Sequence, residues 1–578
     1  MKNSIPVILI MLVVIFTPDT SVGEGTIVLR ALNSMERIGQ DQQLFGEPAA
    51  RIEAAKNEVE SFQVVVAAPV ENITVQDVVM SDLTGKNGAK IGKEAVRLYR
   101  EEYVHVRRST LRAELPPGLY PDPLVPFIDP LTGKPIEPKS ESRERWGAPI
   151  VVKGFEMYAL PFDVFKGQNQ PIWADVRVPK DAPAGVYEGT ITVTADGGLS
   201  AVQPVTLTVW NFTLPDGPSH KNHFGNFGNI VRFFDVERNS EQFRQIELRY
   251  CEALAEHRLN PPIPRSLLPE VNDDGSLRIL PDRHAALKDF IGRLHVTDFE
   301  VPRAPYRNPT TSDREKTERY VRDFFAYLKE NGWDRQAYYY MHDEPNLDEN
   351  YAFVRDYGAL VHEVAPGLKC LVVEQTYPQD SSWPDIDPAV DIWCPLWSFI
   401  NRESIDAKIA GGDEVWSYTA LTQRAPKYSP DYERTQSFDP PYWHIDRPLT
   451  EYRVPTWINC QYGITGLLYW STITTVLDPW YNPAFSHFGR HWNGGGYLLY
   501  PGVPCGIDGP ISCMRLKNIR DGMDDYEYFV ILEKLAGRDT VIGIVNTVAP
   551  NWWEFSKDPK AFLVTRERLA EEIVKRKK

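Results

Sequence analysis

From about residue 221 to about residue 500, short apolar segments with strand preference alternate with segments of helical periodicity. This alternation is typical of βα units and of a parallel sheet, in which a helix carries the chain back between neighbouring strands. Eight segments fit the strand pattern, which predicts a (β/α)8 barrel of the TIM type. The predicted strands are 223–227, 259–263, 296–301, 337–341, 370–374, 391–394, 415–419 and 466–470.

The regions on either side of this alternation have different patterns. Residues 24–215 contain runs of alternating apolar and polar residues, such as 61–66 and 190–194, separated by Gly, Pro, Asn and Asp turns. Such spacing predicts an all-β sandwich region. Residues 501–578 become helical again, and the stretch 514–528 is charged and amphipathic. The sequence therefore predicts a multidomain chain: a β-sandwich region at 24–215, a barrel at 221–500 and a C-terminal helical region at 501–578 packed on the barrel.

The first 23 residues have the composition of a secretory signal peptide. Lys2 precedes an apolar run at 5–16, and Ser21, Val22 and Gly23 provide a small-residue cleavage site. The apolar run is too short for a comfortable membrane span. We therefore expect cleavage of residues 1–23 and a secreted or periplasmic mature protein, without a membrane span.

Charge and cysteine usage restrict the partners. The formal net charge of -16 argues against nucleic acid as a partner. The 11 histidines show no metal-ligand spacing, so neither a metal site nor a cofactor is predicted. An exported protein with six cysteines raises the question of disulfides, and Cys505 and Cys513, which flank a Gly/Pro-rich loop, form the favoured pair. The sequence does not indicate an oligomeric state.

A carboxylate pair ends the fourth predicted strand. The bulky residues 338–341 run into His342, Asp343 and Glu344, and Pro345 then stops the strand. Catalytic groups of barrel enzymes lie at the C-terminal ends of strands. Two carboxyl groups there indicate glycosidic-bond chemistry, which needs an acid and a second group near the anomeric carbon.

The adjacency of Asp343 and Glu344 restricts the mechanism. Successive strand side chains point to opposite faces, so the two carboxyl groups share a direction only if the strand breaks. Adjacent carboxyl groups suit a division in which one protonates the leaving oxygen and the other orients a nucleophile on the substrate, such as a 2-acetamido group. The alternative is that Asp-Glu-Pro simply begins a helix, where acidic residues and proline are favoured.

Four blocks of the sequence resemble a known family. They are the strand that ends in Asp343, Glu344 and Pro345, the stretch 463–470, the charged block 515–528 and the N-terminal strand 57–63. Together they are similar to glycoside hydrolase family 123 and to relatives that share its barrel and C-terminal domain of unknown function. This resemblance implies an exo-acting β-N-acetylgalactosaminidase that retains configuration by substrate assistance. By position, it implies that Glu344 is the general acid/base and that Asp343 orients the acetamido nitrogen and stabilises an oxazolinium-like intermediate.

Aromatic and polar residues near the predicted strand ends are candidates for contacts with a sugar ring. Each of them taken alone is more often a core residue than a ligand. Arg520 and Asp521 are interpreted as a structural ion pair. The substrate-binding candidates are His342, Trp397, Trp416, Tyr418, Trp457, Tyr469 and Trp470.

Two other functions stay open at this point. A two-carboxylate retaining glycosidase would use Glu344 as acid/base and Glu374 as nucleophile, on a sugar without an acetamido group. A non-catalytic carbohydrate-binding protein would have no need of adjacent carboxylates, which are costly to desolvate. The sequence favours a secreted, retaining exo-β-N-acetylhexosaminidase that acts on GalNAc at a non-reducing end.

Overall fold

The computed structural model describes residues 26–136, 157–225, 227–473, 476, 478–487 and 489–577. The predicted signal peptide, residues 1–23, lies outside these residues. Within the ranges that are described, no helix has both the length and the apolar character needed to cross a bilayer.

The N-terminal region forms two β-sheets. One sheet has the strand order β1-β3-β10-β7-β8, and the other has the order β2-β12-β11-β4-β9, with β5 and β6 attached to β11. Buried side chains of both sheets, including Val64, Ile172 and Leu207, belong to one apolar core. The region is therefore β-rich, and a sandwich in the strict sense stays a prediction. The strands are β1 (Val28–Asn33), β2 (Ala50–Lys56), β3 (Val59–Ala67), β4 (Ile73–Met80), β5 (Leu83–Gly85), β6 (Lys90–Ile91), β7 (Val96–Val106), β8 (Gly118–Pro126), β9 (Phe162–Val164), β10 (Asn169–Arg177), β11 (Gly185–Ala195) and β12 (Ser200–Thr213).

The central region contains a nearly closed parallel sheet of seven strands in the order β13-β21-β20-β19-β18-β17-β16. Helices connect most of the successive strands, as the alternation in the sequence predicts, whereas β18 and β19 are joined without an α-helix. The elements are β13 (Lys221–Phe224), α1 (Ile230–Phe234), α2 (Glu241–Glu256), β14 (Glu270–Val271), β15 (Leu277–Arg278), α3 (Pro281–Arg293), β16 (Phe299–Val301), α4 (Arg314–Glu330), β17 (Ala337–Asp343), α5 (Asp348–Val364), β18 (Lys369–Val373), β19 (Ile392–Trp393), α6 (Arg402–Gly411), β20 (Glu414–Thr419), α7 (Tyr432–Ser437), α8 (Thr450–Arg453), α9 (Pro455–Tyr462) and β21 (Gly466–Tyr469).

The second predicted barrel strand, 259–263, is not a strand. This segment contains Pro261 and Pro262 and is followed by Pro264. Prolines lack the backbone N–H that a central ladder needs, so the sheet stays open between β13 and β16. The prediction of eight strands was wrong for this reason.

Polar side chains bridge the open position of the sheet. The backbone N–H of Asn260 donates to Oδ1 of Asn222 on β13 at 2.7 Å, and its side-chain amide donates to Oδ2 of Asp298 at 2.6 Å. Thr297 N–H donates to Oδ1 of Asn260 at 2.9 Å. Side-chain bonds thus replace the missing ladder and keep the two edges of the sheet together.

The C-terminal region is helical, and its central helix carries buried charges. Arg515 pairs with Asp122 at 2.9 Å, and Lys517 pairs with Asp175 at 2.6 Å. The sequence predicts a charged amphipathic helix here, but these charged side chains are buried because they bind acidic groups of the β-rich region. The elements are β22 (Ala484–His487), β23 (Arg490–Asn493), β24 (Tyr500–Pro501), β25 (Pro510–Ile511), α10 (Met514–Ala536), α11 (Arg538–Val545) and α12 (Pro559–Arg576).

All six cysteines are free and buried, so the favoured pairing of Cys505 with Cys513 was wrong. The thiol of Cys513 lies 3.1 Å from the carbonyl oxygen of Leu498, to which it donates. Burial raises the pKa of both thiols. The Gly/Pro-rich loop that separates the two cysteines closes through β24 and β25 instead.

Candidate active site

The end of β17 contains a β-bulge that sets the direction of the acidic pair. Tyr340 pairs with Leu371 of β18, but the next pair is His342 with Val372, so Met341 is an extra residue. Leu371 and Val373 face the barrel interior, whereas Val372 belongs to the outer layer. Asp343 pairs with Val373, so the bulge brings its carboxylate to the interior face.

Two tyrosine hydroxyls bind the two carboxylates. Tyr340 donates its hydroxyl proton to Oδ1 of Asp343 at 2.9 Å, and Tyr418 of β20 donates to Oε1 of Glu344. Burial holds the pKa of both hydroxyls well above the ordinary value, so both stay protonated donors near neutral pH. Each carboxylate is therefore bound by a separate tyrosine hydroxyl, one from β17 and one from β20.

Glu344 lies in the left-handed region of the backbone, with a φ of 48°. Its N–H donates to the carbonyl oxygen of Val373 at 3.1 Å, and its own carbonyl accepts a bond from the Asn346 side chain at 2.8 Å. Non-glycine residues are uncommon in this conformation, which is found at functional sites where the surrounding structure imposes it. The turn gives Glu344 a direction that a regular strand would not allow.

The surroundings of Glu344 favour its protonated form. Desolvation raises the pKa of its carboxyl group, and the negative charge of Asp343 acts in the same direction. The hydrogen bond from Tyr418 opposes this shift, because it stabilises the carboxylate. A carboxyl group with a raised pKa next to an open cavity is suited to act as a general acid.

Glu344 and Tyr418 line a cavity of about 840 Å³, within the size range of ligand pockets. Glu374 also lines it, and it is only 5% exposed. The side-chain amide of Gln379 donates to Oε1 of Glu374 at 3.1 Å. Burial raises the pKa of Glu374 to about 8. The remaining lining residues are Leu111, Arg112, Asn346, Val373, Gln375, Gln379, Cys394, Leu396, Phe399, Thr422, Gln423, Arg424, Pro426, Tyr428 and Arg490.

The structure brings Tyr418 to this cavity but does not bring three of the candidate tryptophans there. Trp416 is fully buried against Tyr338, with ring centroids 5.1 Å apart, and borders a smaller cavity at the opposite end of the barrel. Trp457 packs against Phe529 and donates its indole N–H to Asp525 at 2.9 Å. Trp397 is fully buried and does not line the cavity.

The other three candidates lie around the site without lining this cavity. The ring of His342 faces α5, 6.0 Å from Phe353, because the bulge turns His342 to the outer side. Tyr469 accepts a hydrogen bond from the N–H of Gly496 at 2.9 Å, in the outer layer. Trp470 is half-buried, with its ring 5.4 Å from that of Phe485.

Sequence reasoning missed several residues of the site. Tyr340 was counted only as a strand residue, and its role depends on the bulge, for which the sequence has no clear signal. Gln379 and Arg424 come from loops, and Arg490 begins β23, so the three residues lie far apart in the chain. Only the fold brings such residues together.

One group of residues has the ligand types of a metal site. Atoms of His362, Cys370 and Asp391 lie within 4.8 Å of one another, near the N-terminal ends of β18 and β19. His362 Nε2 and Asp391 Oδ2 are 2.8 Å apart, and the N–H of Cys370 donates to the same oxygen at 2.7 Å. These bonds connect α5 to the sheet, at the end of the barrel opposite to Glu344. The group is therefore separate from the catalytic chemistry.

Comparisons with known proteins agree with this architecture. Residues 301–532 match the family model described as glycoside hydrolase 123, catalytic domain, and residues 46–195 match the glycoside hydrolase 123 N-terminal domain. No curated protein sequence matches the chain.

A solved structure of a glycoside hydrolase has the same fold. A family 123 glycoside hydrolase from Clostridium perfringens, described for glycolipid glycan hydrolysis, superimposes with a TM-score of 0.67 at 15% identity, over 95% of this chain and 98% of that one. A Bacteroides ovatus GH5 xyloglucanase gives a TM-score of 0.28 at 9% identity, over 86% of this chain and 100% of that one. A family 39 glycoside hydrolase from Bacteroides cellulosilyticus gives 0.30 at 10% identity, over 63% and 75%. Only the first of these similarities is high enough to define the fold.

Proposed function

This chain belongs to glycoside hydrolase family 123, and we propose that it is an exported enzyme that removes β-linked GalNAc from non-reducing ends by substrate assistance. The observation that carries the proposal is the pair Asp343 and Glu344, neighbours in sequence that are each bound by a separate tyrosine hydroxyl. Such an arrangement supports two different tasks for two adjacent carboxyl groups.

In the first step, the protonated carboxyl group of Glu344 donates its proton to the glycosidic oxygen. The carbonyl oxygen of the substrate's 2-acetamido group attacks C1, the bond from C1 to the glycosidic oxygen breaks, and the leaving group departs as an alcohol. Asp343 accepts a hydrogen bond from the acetamido N–H and stabilises the positive charge that develops on the oxazolinium ring. Tyr340 keeps Asp343 oriented for this task.

In the second step, the carboxylate of Glu344 takes a proton from water, and the water oxygen attacks C1 from the face that the leaving group has vacated. The bond from C1 to the acetamido oxygen breaks, and the product keeps its original configuration. Glu344 is protonated again and ready for another cycle. Its raised pKa suits both halves of this cycle, because the group must be an acid first and a base afterwards.

The two-carboxylate alternative would need Glu374 as an ionised nucleophile. Burial raises the pKa of Glu374 to about 8, so this group is mostly protonated at neutral pH. Its Oε1 also accepts a hydrogen bond from Gln379, which in turn donates to the carbonyl oxygen of Pro345. These contacts favour a structural role for Glu374, and they favour substrate assistance over a covalent glycosyl-enzyme.

The decisive experiment compares aryl β-GalNAc, β-GlcNAc and β-galactoside as substrates of the purified protein. Turnover restricted to acetamido sugars, with a rate that falls as fluorine is added to the acetamido methyl group, would support substrate assistance. A plain galactoside turned over at a similar rate would contradict it and point to Glu374 as the nucleophile. The anomer formed first, observed by NMR, tests retention directly.

A natural substrate needs a separate test. The Clostridium perfringens enzyme is described in relation to glycolipid glycans, and these are a reasonable first panel. Failure on every acetamido sugar, in aryl and glycan form, would instead favour the non-catalytic carbohydrate-binding alternative.

A further inference from the structure

Two arginines without acidic partners line the cavity that contains Glu344. Arg424 and Arg490 are both exposed, on the loop after β20 and at the start of β23. Arg424 donates to the side-chain oxygen of Gln436 at 2.8 Å. Among the described residues, neither guanidinium has a carboxylate within 4.0 Å, whereas Arg112 in the same wall pairs with Asp439. Two positive charges therefore face the cavity without compensation.

The acidic residues of the cavity do not cancel these charges. Glu344 and Glu374 are the acidic lining residues, and surrounding protein raises the pKa of both. Both are thus less ionised at neutral pH than an exposed carboxyl group would be. Within the described part of the chain, the cavity wall thus carries two guanidinium groups that are not paired with a carboxylate, although the whole chain has a formal net charge of -16. Such groups attract anions.

The positive surface continues beyond the cavity. Arg108 lies beside the β22–β23 hairpin, with its Nη1 3.4 Å from Nε2 of His491, the neighbour of Arg490. Arg107 stacks on the ring of Tyr481 at 4.6 Å. In the part of the chain that the structure describes, neither Arg107 nor Arg108 forms an ion pair with a carboxylate. Two further guanidinium groups thus lie near the hairpin that carries Arg490.

The position of Glu344 indicates which part of a substrate this wall would contact. A general acid protonates the glycosidic oxygen, so it lies between the donor sugar and the leaving group. Arg424 and Arg490 are exposed, so they lie at the open side of the cavity that they share with Glu344. In an exo-acting enzyme the leaving group extends toward solvent, which is the side on which these two arginines lie. Guanidinium groups bind carboxylates and sulfates through paired N–H donors.

We propose that Arg424 and Arg490 bind an anionic group, a carboxylate or a sulfate, on the sugar from which GalNAc is removed. The substrate class is then an acidic glycan with a terminal β-GalNAc, and this proposal rests on the function proposed above. Because both arginines are exposed, solvent weakens each contact, and we expect about a tenfold preference for the acidic substrate.

The test uses matched disaccharides: β-GalNAc linked to glucuronate, to glucose 6-sulfate and to neutral glucose. We expect kcat/KM to be about tenfold higher for an acidic disaccharide than for the neutral one at low ionic strength. The preference should decline as salt is added. The variant that carries both Arg424→Gln and Arg490→Gln should reduce the ratio of acidic to neutral kcat/KM to about one. Arg322→Gln, on the exposed side of α4, is the matched control and should keep it. The two acidic substrates separate carboxylate recognition from sulfate recognition.

Two results would overturn the proposal. Equal kcat/KM values for acidic and neutral disaccharides, with aryl β-GalNAc turned over, would reject the anionic subsite and leave the proposed function intact. If no GalNAc substrate is turned over, the proposed function fails, and calorimetry with the same disaccharides decides the charge preference alone. Preferential binding of the acidic disaccharides that is lost in the variant with both Gln substitutions would support the subsite. Equal binding of acidic and neutral disaccharides, or no binding, would reject it.

Discussion

The hydroxyl of Tyr340 lies 2.9 Å from Oδ1 of Asp343, although residues three apart on a regular strand face opposite sides of a sheet. The bulge at Met341 removes this contradiction, because it inserts one residue between the two. The geometry of the proposed catalytic pair therefore depends on a local irregularity of β17 as much as on the carboxyl groups themselves.

Replacement of Glu344, the proposed acid, should slow turnover in a way that depends on the leaving group. We expect Glu344→Gln to lower kcat on GalNAc glycosides with poor leaving groups by about 10²–10⁴-fold, because the glycosidic oxygen then leaves without a proton. On aryl glycosides with good leaving groups, the loss should be smaller in the first step. Measurement of kcat for a series of leaving groups checks this expectation.

Asp343→Asn should show a different pattern. It should lower the rate for all leaving groups alike, since the developing oxazolinium charge is no longer compensated. Tyr340→Phe should lower the rate by a smaller factor than Asp343→Asn does, because Asp343 keeps its charge but loses the hydrogen bond that orients it. A variant of Asp343 with full activity would contradict the assigned role.

The hydrogen bond from Tyr418 should set the alkaline limb of the pH profile. Tyr418→Phe removes a bond that stabilises the carboxylate of Glu344, so the pKa of Glu344 should increase. The acid then stays protonated to higher pH, and the alkaline limb of kcat/KM should move upward by about 0.5–1 pH unit. Tyr428→Phe, which lines the same cavity, serves as the control and should leave the limb in place. A downward shift would disagree with the structure.

Glu374 offers a test of both mechanism and stability. Glu374→Gln should keep most of the activity, whereas a covalent nucleophile could not be replaced without near-complete loss.

Because folding raises the pKa of Glu374 from 4.5 to about 8, its contribution to stability is complete below pH 4.5 and is lost as pH increases toward 8. The Gln variant avoids this loss. The melting temperature of the variant minus that of the native protein should therefore increase between pH 5 and pH 8.5. Parallel melting temperatures at both pH values would contradict the assignment.

The left-handed backbone at residue 344 should have a measurable energetic cost. Glu344→Gly and Glu344→Ala both remove the carboxyl group, but only glycine tolerates a φ of 48° without strain. We therefore expect the Gly variant to be more stable than the Ala variant by about 1 kcal/mol in thermal or denaturant unfolding. At Asn346, whose φ is not positive, the same pair of substitutions should show the opposite order.

Much of the sheet could be predicted from the sequence. Seven of the eight predicted strands exist, because apolar runs and intervening helical patterns report burial directly. The prediction for 259–263 was wrong because Pro261, Pro262 and Pro264 lack the N–H groups that a central strand needs, although the segment is apolar. The sequence also placed Asp343 and Glu344 at the C-terminal end of a strand, where the structure has them.

The aromatic residues show where sequence reasoning stops. Trp416 and Tyr418 lie two residues apart on β20 and both pack in the barrel interior, yet only Tyr418, nearer the C-terminal end of the strand, lines the cavity. Whether such a ring contacts the core or a cavity depends on its depth along the strand in the folded sheet, which the local sequence does not reveal. The same holds for Arg424 and Arg490, which the fold brings together from a loop and from the start of β23.

The buried charges of α10 have a consequence for biosynthesis. Asp122 on β8 is neutralised by Arg515, 393 residues later in the chain, and Asp175 on β10 pairs with Lys517. Until those residues leave the ribosome and any export channel, Asp122 has, among the described residues, only the more distant Arg37, at 3.7 Å, and Asp175 lacks both Lys517 and Arg520. Burying a carboxylate without its closest cation is costly. We therefore expect the final packing of β8 and β10 to form only after α10 has been synthesised.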